Sequence, residues 1–303
     1  MPFSGNDLLW GLAAPLLVAA GLRFVLAGIA RLLVQGDQPD TDSDATATPA
    51  MPAGTSLETS VALVAGAAVG YFVLKLGPWV PDAHYEWLPL GIVIAMLVAS
   101  VVGLLGQSPL VRFAVLPVSY AAVAAGVGYL LMPTWDDLSP AYAPYLASWC
   151  VVVVLVSVTT ELAPEGRRWP FAVVWLGTCL AAAAIVAISE SLRFAQIAGL
   201  TFGASLGLVA VGLMMRRSLL GGVGLTLTTY LAGILLIAEV NSWSDVPLVS
   251  YWLPMAGPLF AAVLGMLLPA KVPAALRATL VILAAAIPST IAVVLAIVAT
   301  LSE

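Results

Sequence analysis

Apolar residues run along this chain in about ten long stretches, each divided from the next by a polar connection. The stretches are continuous and lack the in-out alternation of barrel strands. Each approaches the roughly 20 residues that carry a helix through the hydrocarbon core. The pattern predicts spans at residues 8–33, 60–76, 88–105, 113–132 and 145–162, then at 170–189, 194–215, 219–240, 247–268 and 279–301. A backbone in lipid completes its hydrogen bonds only as a helix or a closed barrel. The expected fold class is therefore all-α, a polytopic transmembrane bundle of about ten spanning helices. The first span has neither a basic n-region nor an A-x-A site after it, so it reads as a retained helix rather than a cleaved signal.

One polar stretch is long. Its sequence, QGDQPDTDSDATATPAMPAGTSLE, is rich in Asp, Thr, Ala and Pro and has too few apolar groups to offset ordering entropy. This divides the chain into a first helix over residues 1–34, a flexible acidic cytoplasmic linker over 35–59 and a nine-helix bundle over 60–303. The first helix is then free to pack at the edge of the bundle or against a partner.

Charge gives the bundle a direction. Arg31, Arg112, the pairs Arg167–Arg168 and Arg216–Arg217, and Lys271 with Arg277 fall in every second connection. The alternate connections carry Asp82, Glu86, Asp136, Asp137, Glu190, Glu239 and Asp245. Lys and Arg collect on the cytoplasmic side of short loops, which places both termini outside and implies an integral protein of a bacterial cytoplasmic (inner) membrane. Three basic residues depart from the pattern. Arg23 lies within reach of the inner interface, Lys75 can snorkel to the outer one, and Arg193 stands one helical turn after Glu190.

Composition agrees, with 62% hydrophobic and 9% charged residues and a mean hydropathy of +1.07. A soluble domain carries about 25% charged residues. The net charge of −5 includes no polybasic patch for nucleic acid. Cys150 and Cys179 fall at different depths in separate spans, which argues against a disulfide between them.

Candidate chemistry concentrates in the outer loops, where Trp79 accompanies Asp82, Trp135 accompanies Asp136 and Asp137, and Trp243 accompanies Asp245. Seven tryptophans (Trp10, Trp79, Trp87, Trp135, Trp149, Trp243 and Trp252) fall on or near this side. An interfacial aromatic belt with solvated acids beyond it is one reading. The other is an acidic, aromatic vestibule built from Trp79, Asp82, His84, Glu86, Trp135, Asp136, Asp137, Glu239, Trp243 and Asp245, able to hold a cation or stack on a sugar-like or amine ligand. His84, the one histidine, has acids on both sides, as in a weak divalent site or a proton relay.

Within the spans, Pro117, Pro254, Pro258 and Pro288 are expected helix breaks, as is Pro15, or else the simple kinks that proline commonly makes in membrane helices. Breaks in the fourth and ninth spans correspond in a five-plus-five arrangement, the pattern of a carrier whose substrate moves between broken helices. Gly199, Gly203 and Gly207 form a small-residue face suited to close packing inside the bundle, to a homodimer seam or to a sliding interface, and Gly66 and Gly70 repeat the spacing. No carboxylate lies near the middle of a span. The midplane polar groups are hydroxyls, Ser289 and Thr290 in the tenth span and Thr226, Thr228, Thr229 and Tyr230 in the eighth, which tend to bond back to their own helix. No catalytic or metal-binding motif occurs and no cofactor is implied.

Two functions follow. One is a small-molecule or ion carrier. The other is a non-catalytic membrane scaffold or complex subunit, docking a membrane or extracytoplasmic protein through its outer aromatic and acidic loops. Membrane lipid is the partner common to both.

Overall fold

The computed structural model describes residues 9–35, 54–78, 80–105, 108–136, 138, 140–162, 169–189, 191–215, 220, 222–269 and 271–301. Among them are ten α-helices and no strand. A π-type turn at Leu9–Ala13 leads into α1 (Ala14–Gln35), and α2 is Gly54–Val73. A 3-10 turn at His84–Trp87 precedes α3 (Leu88–Leu104), and a second π-type turn at Val111–Val115 precedes α4 (Leu116–Leu131). Then follow α5 (Tyr142–Leu162), α6 (Trp169–Ile188), α7 (Leu192–Met214), α8 (Gly224–Val240), α9 (Leu248–Leu267) and α10 (Ala274–Leu301). Each coincides with an expected span to within a few residues, except that α2 begins at Gly54, inside the stretch expected to be linker. The rest of that stretch, residues 36–53, lies outside the described residues.

Eight of these helices, their lead-in turns included, are long and apolar enough to cross a bilayer; Leu57–Val73 and Gly224–Val240 are apolar but shorter. The chain is thus a helical bundle with the character of a multipass integral membrane protein. Helix α8 is the centre of it. Every residue from Gly224 to Ala238 is buried, because α3, α4, α5, α6, α7 and α9 all pack against this one helix. A helix enclosed in protein has no lipid-facing surface, so the hydrocarbon thickness does not set its length.

Helix α1 is seated on glycine. A methyl carbon at Gly203 would lie 2.6 Å from the Leu12 carbonyl oxygen, and one at Gly207 would lie 3.0 Å from the Leu16 carbonyl carbon. Across the groove, methyls at Gly66 and Gly70 would each lie 2.7 Å from a carbonyl oxygen, of Pro15 and of Trp10 respectively. The glycines of α2 and α7 therefore face the same partner, and the backbone of α1 and its lead-in turn lies where side chains would otherwise be. Arg23, on the same helix, is buried and donates to the Leu208 carbonyl of α7. It turns inward onto protein.

Three of the prolines expected to break or kink their spans lie inside continuous helices. Helix α9 continues through Pro254 and Pro258, and α10 through Pro288. At Pro117 the wide turn over Val111–Val115 passes directly into α4. Proline removes one donor, and a local change of winding absorbs that loss without opening the chain. Between Pro254 and Pro258, a methyl on Gly257 would lie 3.0 Å from the Ala285 carbonyl, so the paired prolines mark a close crossing of α9 and α10.

Replacing Gly203 with Leu should lower thermal stability in detergent by about 1–3 kcal/mol, because the obstructing atoms are backbone. Gly177→Ala, where nothing lies within 4 Å of the new methyl, should leave the melting temperature unchanged. An unshifted melting curve for Gly203→Leu would contradict the glycine seat.

Candidate functional site

The tryptophan-bearing connections meet at one end of the bundle. Helix α2 stops there in a paired-bond C-terminal turn, with the Leu76 N–H donating to the Tyr71 carbonyl (3.0 Å) and the Lys75 N–H to the Phe72 carbonyl (3.1 Å). Lys75 takes the left-handed conformation this turn requires, with φ 52°. The turn presents the Leu76 carbonyl to Arg193 at the start of α7, whose Nε donates to it at 2.5 Å. The same guanidinium lies 3.5 Å from Glu86 and 5.0 Å from the centre of the Tyr85 ring. Glu86 is itself held in place, since its other oxygen accepts from the N–H groups of Asp82 (3.0 Å) and Ala83 (3.2 Å). Tyr85 in turn meets Phe194 edge to face at 5.7 Å.

His84 joins three connections. Its ring stands edge-on to Trp135, with centroids 5.4 Å apart and planes at 87°, and its Nε2 lies 3.2 Å from Asn241 Nδ2. Asn241 also donates to the Ile237 carbonyl at 2.8 Å, tying this contact to the end of α8. Deeper in, the Tyr145 hydroxyl donates to Glu239, and Trp252 meets the Tyr145 ring at 5.9 Å. Trp149 is completely buried and donates to the Ala232 carbonyl at 3.2 Å. It belongs to the core and not to an interfacial belt.

The expected site residues therefore divide. His84, Glu86, Trp135 and Glu239 are engaged in contacts that fasten the loops together. Asp82, Asp136 and Asp245 are exposed, and Trp243 is fully exposed. Trp79 and Asp137 lie outside the described residues, as does Glu190. Among the described residues no three His, Cys, Asp or Glu side chains gather as metal ligands. Convergence of the loops is thus aromatic and amide-mediated, and the two acids nearest the bundle already have partners. Reading the sequence alone missed Tyr71, Asn241 and Phe194. Arg193 carried the one available signal, a cation on the wrong side of the charge alternation.

The opposite end uses charge to close helices. Glu161 accepts from the Gly224 N–H at 3.0 Å, placing a carboxylate at the N-terminus of α8. Arg112 donates to the Leu162 carbonyl at 3.3 Å, and Arg277 donates to the Pro269 carbonyl at 2.5 Å. Both guanidinium groups thus meet carbonyls at or just beyond helix C-termini, where cations are favoured. Arg167, Arg168, Arg216 and Arg217 lie outside the described residues.

In the first two turns of α8, the hydroxyls of Thr226, Thr228 and Thr229 are buried and make no hydrogen bond to a protein atom, contrary to the expected back-bonding. Tyr230 donates to the Ile197 carbonyl at 3.0 Å. Ser289 and Thr290 instead lie along an otherwise aliphatic groove between α6 and α10.

No protein-family model, curated protein or solved structure matches this chain.

Trp149→Phe removes the indole donor and leaves the Ala232 carbonyl without it, at an expected cost of about 1–2 kcal/mol. Trp243→Ala should stay within about 0.5 kcal/mol of the parent. Thermal unfolding of both variants checks the division between fastening and free tryptophans. Trp135→Ala should raise hydrogen exchange in residues 132–138 and 241–247 together, because His84 couples those loops.

Proposed function

We propose that this protein is a non-catalytic, ten-span membrane scaffold or complex subunit that docks an extracytoplasmic protein partner through its Trp-rich end. The observation that carries the reading is the enclosure of α8, where even the Thr226, Thr228 and Thr229 hydroxyls are shut inside the packed bundle. Grooves do exist among the described residues. One of about 460 Å³ runs between α6 and α10 past Thr290, and one of about 420 Å³ lies between α3 and α4 near Ser119. They occupy different helix pairs and are lined almost entirely by aliphatic groups, so they do not join the regions of Pro117, Pro254 and Thr290 into one pathway. The continuity of the helices through Pro254, Pro258 and Pro288 weighs against broken helices as a substrate site. Exposed Trp243 and Trp135, mounted on loops cross-tied through His84, offer a preformed aromatic surface of the kind protein interfaces favour.

Orientation follows from the charge rule, with the arginine-bearing end cytoplasmic and the Trp-rich end outside, in a bacterial cytoplasmic membrane. Single cysteines introduced into a chain lacking Cys150 and Cys179 test all of this without knowledge of a substrate. An impermeant maleimide should label Trp243→Cys in intact cells and Lys271→Cys only after permeabilisation; the reverse order overturns the orientation. Thr228→Cys should resist the reagent in both cases. Labelling of Thr228→Cys at a rate near that of Trp243→Cys would show water reaching the bundle centre and would restore the carrier. For docking, Trp135→Ala with Trp243→Ala should reduce the native complex to the mass of the chain alone, and an unchanged complex would exclude this face.

A further inference from the structure

Between α2 and α3 runs a groove of about 290 Å³ that differs from the other two in having a polar head. Its walls are Val64, Ala68, Ile92 and Val93, and Phe72 and Leu90, both exposed, flank it. Glu86 and Tyr71 lie at its upper end, and Tyr230 of α8 contributes to its lining further in. Tyr230 stands ten residues before Val240, or about 15 Å along the helix, which is half of a roughly 30 Å hydrocarbon core. The groove thus runs from headgroup level toward the bilayer centre, parallel to the lipid chains beside it.

Charge at the head selects the occupant. The Glu86 side chain is 9% exposed and its partner Arg193 is 39% exposed, so the pair turns its positive member outward. The Tyr71 hydroxyl lies beside that guanidinium over Gly77, adding a second polar group at the same level. An apolar channel open between two membrane helices, with Glu86 at its head neutralised by the more exposed guanidinium of Arg193 beside it, matches one kind of molecule. We propose that the α2–α3 groove binds one acyl chain of an anionic phospholipid, whose phosphate rests on Arg193. The volume, at the lower edge of the range for small-molecule sites, suits one chain and not a whole lipid. This site stands independently of the docking function proposed above.

Native mass spectrometry of the full chain, exposed in turn to phosphatidylglycerol, phosphatidylcholine and inorganic phosphate, tests the proposal. Phosphatidylglycerol should remain bound and outcompete phosphatidylcholine, and phosphate alone should not displace it. Ala68→Phe fills the channel and should weaken retention by about tenfold or more, equivalent to about 1.4 kcal/mol. Gly177→Phe, in the α6–α10 groove, should retain the lipid as the parent does. Arg193→Gln should erase the preference for phosphatidylglycerol over phosphatidylcholine. Should either α2–α3 variant fail to assemble, phosphatidylglycerol carrying a photoreactive group in its acyl chain can be applied to the unaltered protein. Its label should fall on residues 64–72 and 88–93. Equal retention by Ala68→Phe and the parent, displacement by phosphate alone, or label spread evenly over all lipid-facing helices would each overturn the assignment.

Discussion

Inside a bilayer, apolar surface gains little by leaving lipid for protein, so helices associate through close packing and directional bonds rather than through the hydrophobic effect. This constraint accounts for where glycine is used. The backbone of α1 approaches α2 at Gly66 and Gly70 and α7 at Gly203 and Gly207, all within distances a methyl group would forbid. Such contact maximises dispersion between backbones and brings glycine Cα–H groups near carbonyl oxygens, a weak but cumulative attraction. The first helix is consequently part of the bundle. The long polar connection after it separates α1 from α2 in sequence but not in space.

The same constraint decides where polar groups go. At the Trp-rich end, Arg193 meets a carbonyl, a carboxylate and an aromatic face, and at the other end Glu161 closes the buried N-terminus of α8. An isolated charge at these depths would be costly to desolvate, and each of these groups has a compensating bond. Asp82, Asp136 and Asp245 instead remain exposed. Burial thus separates the acids that hold the fold from those that give the surface its charge.

Hydrophobic period and charge alternation made the helices legible in the sequence, and their boundaries fell close because apolar length is a coarse but strong signal. Two kinds of feature were not legible. A proline reads as a break in one dimension, yet α9 and α10 run through Pro254, Pro258 and Pro288, since neighbouring helices and winding adjustments can accommodate one lost donor. Likewise the charge pattern assigned Trp149 and Trp243 to the same side, but one is in the core and the other entirely outside it. What distinguishes them is the helix each faces, and a single sequence does not specify which helices are neighbours. His84 shows the limit clearly. Its flanking acids suggested ion chemistry, whereas its actual partners, Trp135 and Asn241, come from connections about 50 and 157 residues away.

The relation between α5 and α8 bears most directly on function. Helix α5 holds α8 near its beginning through Glu161 and Gly224, at mid-length through Trp149 and the Ala232 carbonyl, and near its end through Tyr145 and Glu239. Three directional bonds spread along one antiparallel pair fix both axial position and rotation. Alternating access requires one group of helices to move against another around a central site. Motion of α8 relative to α5 would break all three bonds within a low-dielectric interior, where unpaired polar groups are expensive. A carrier would therefore have to move its outer helices around an immobile α5–α8 pair, yet α1 is locked by glycine contacts and α9 crosses α10 too closely to slide freely. A pinned centre of this kind is well suited to holding a surface in a fixed shape, which is what a docking subunit needs.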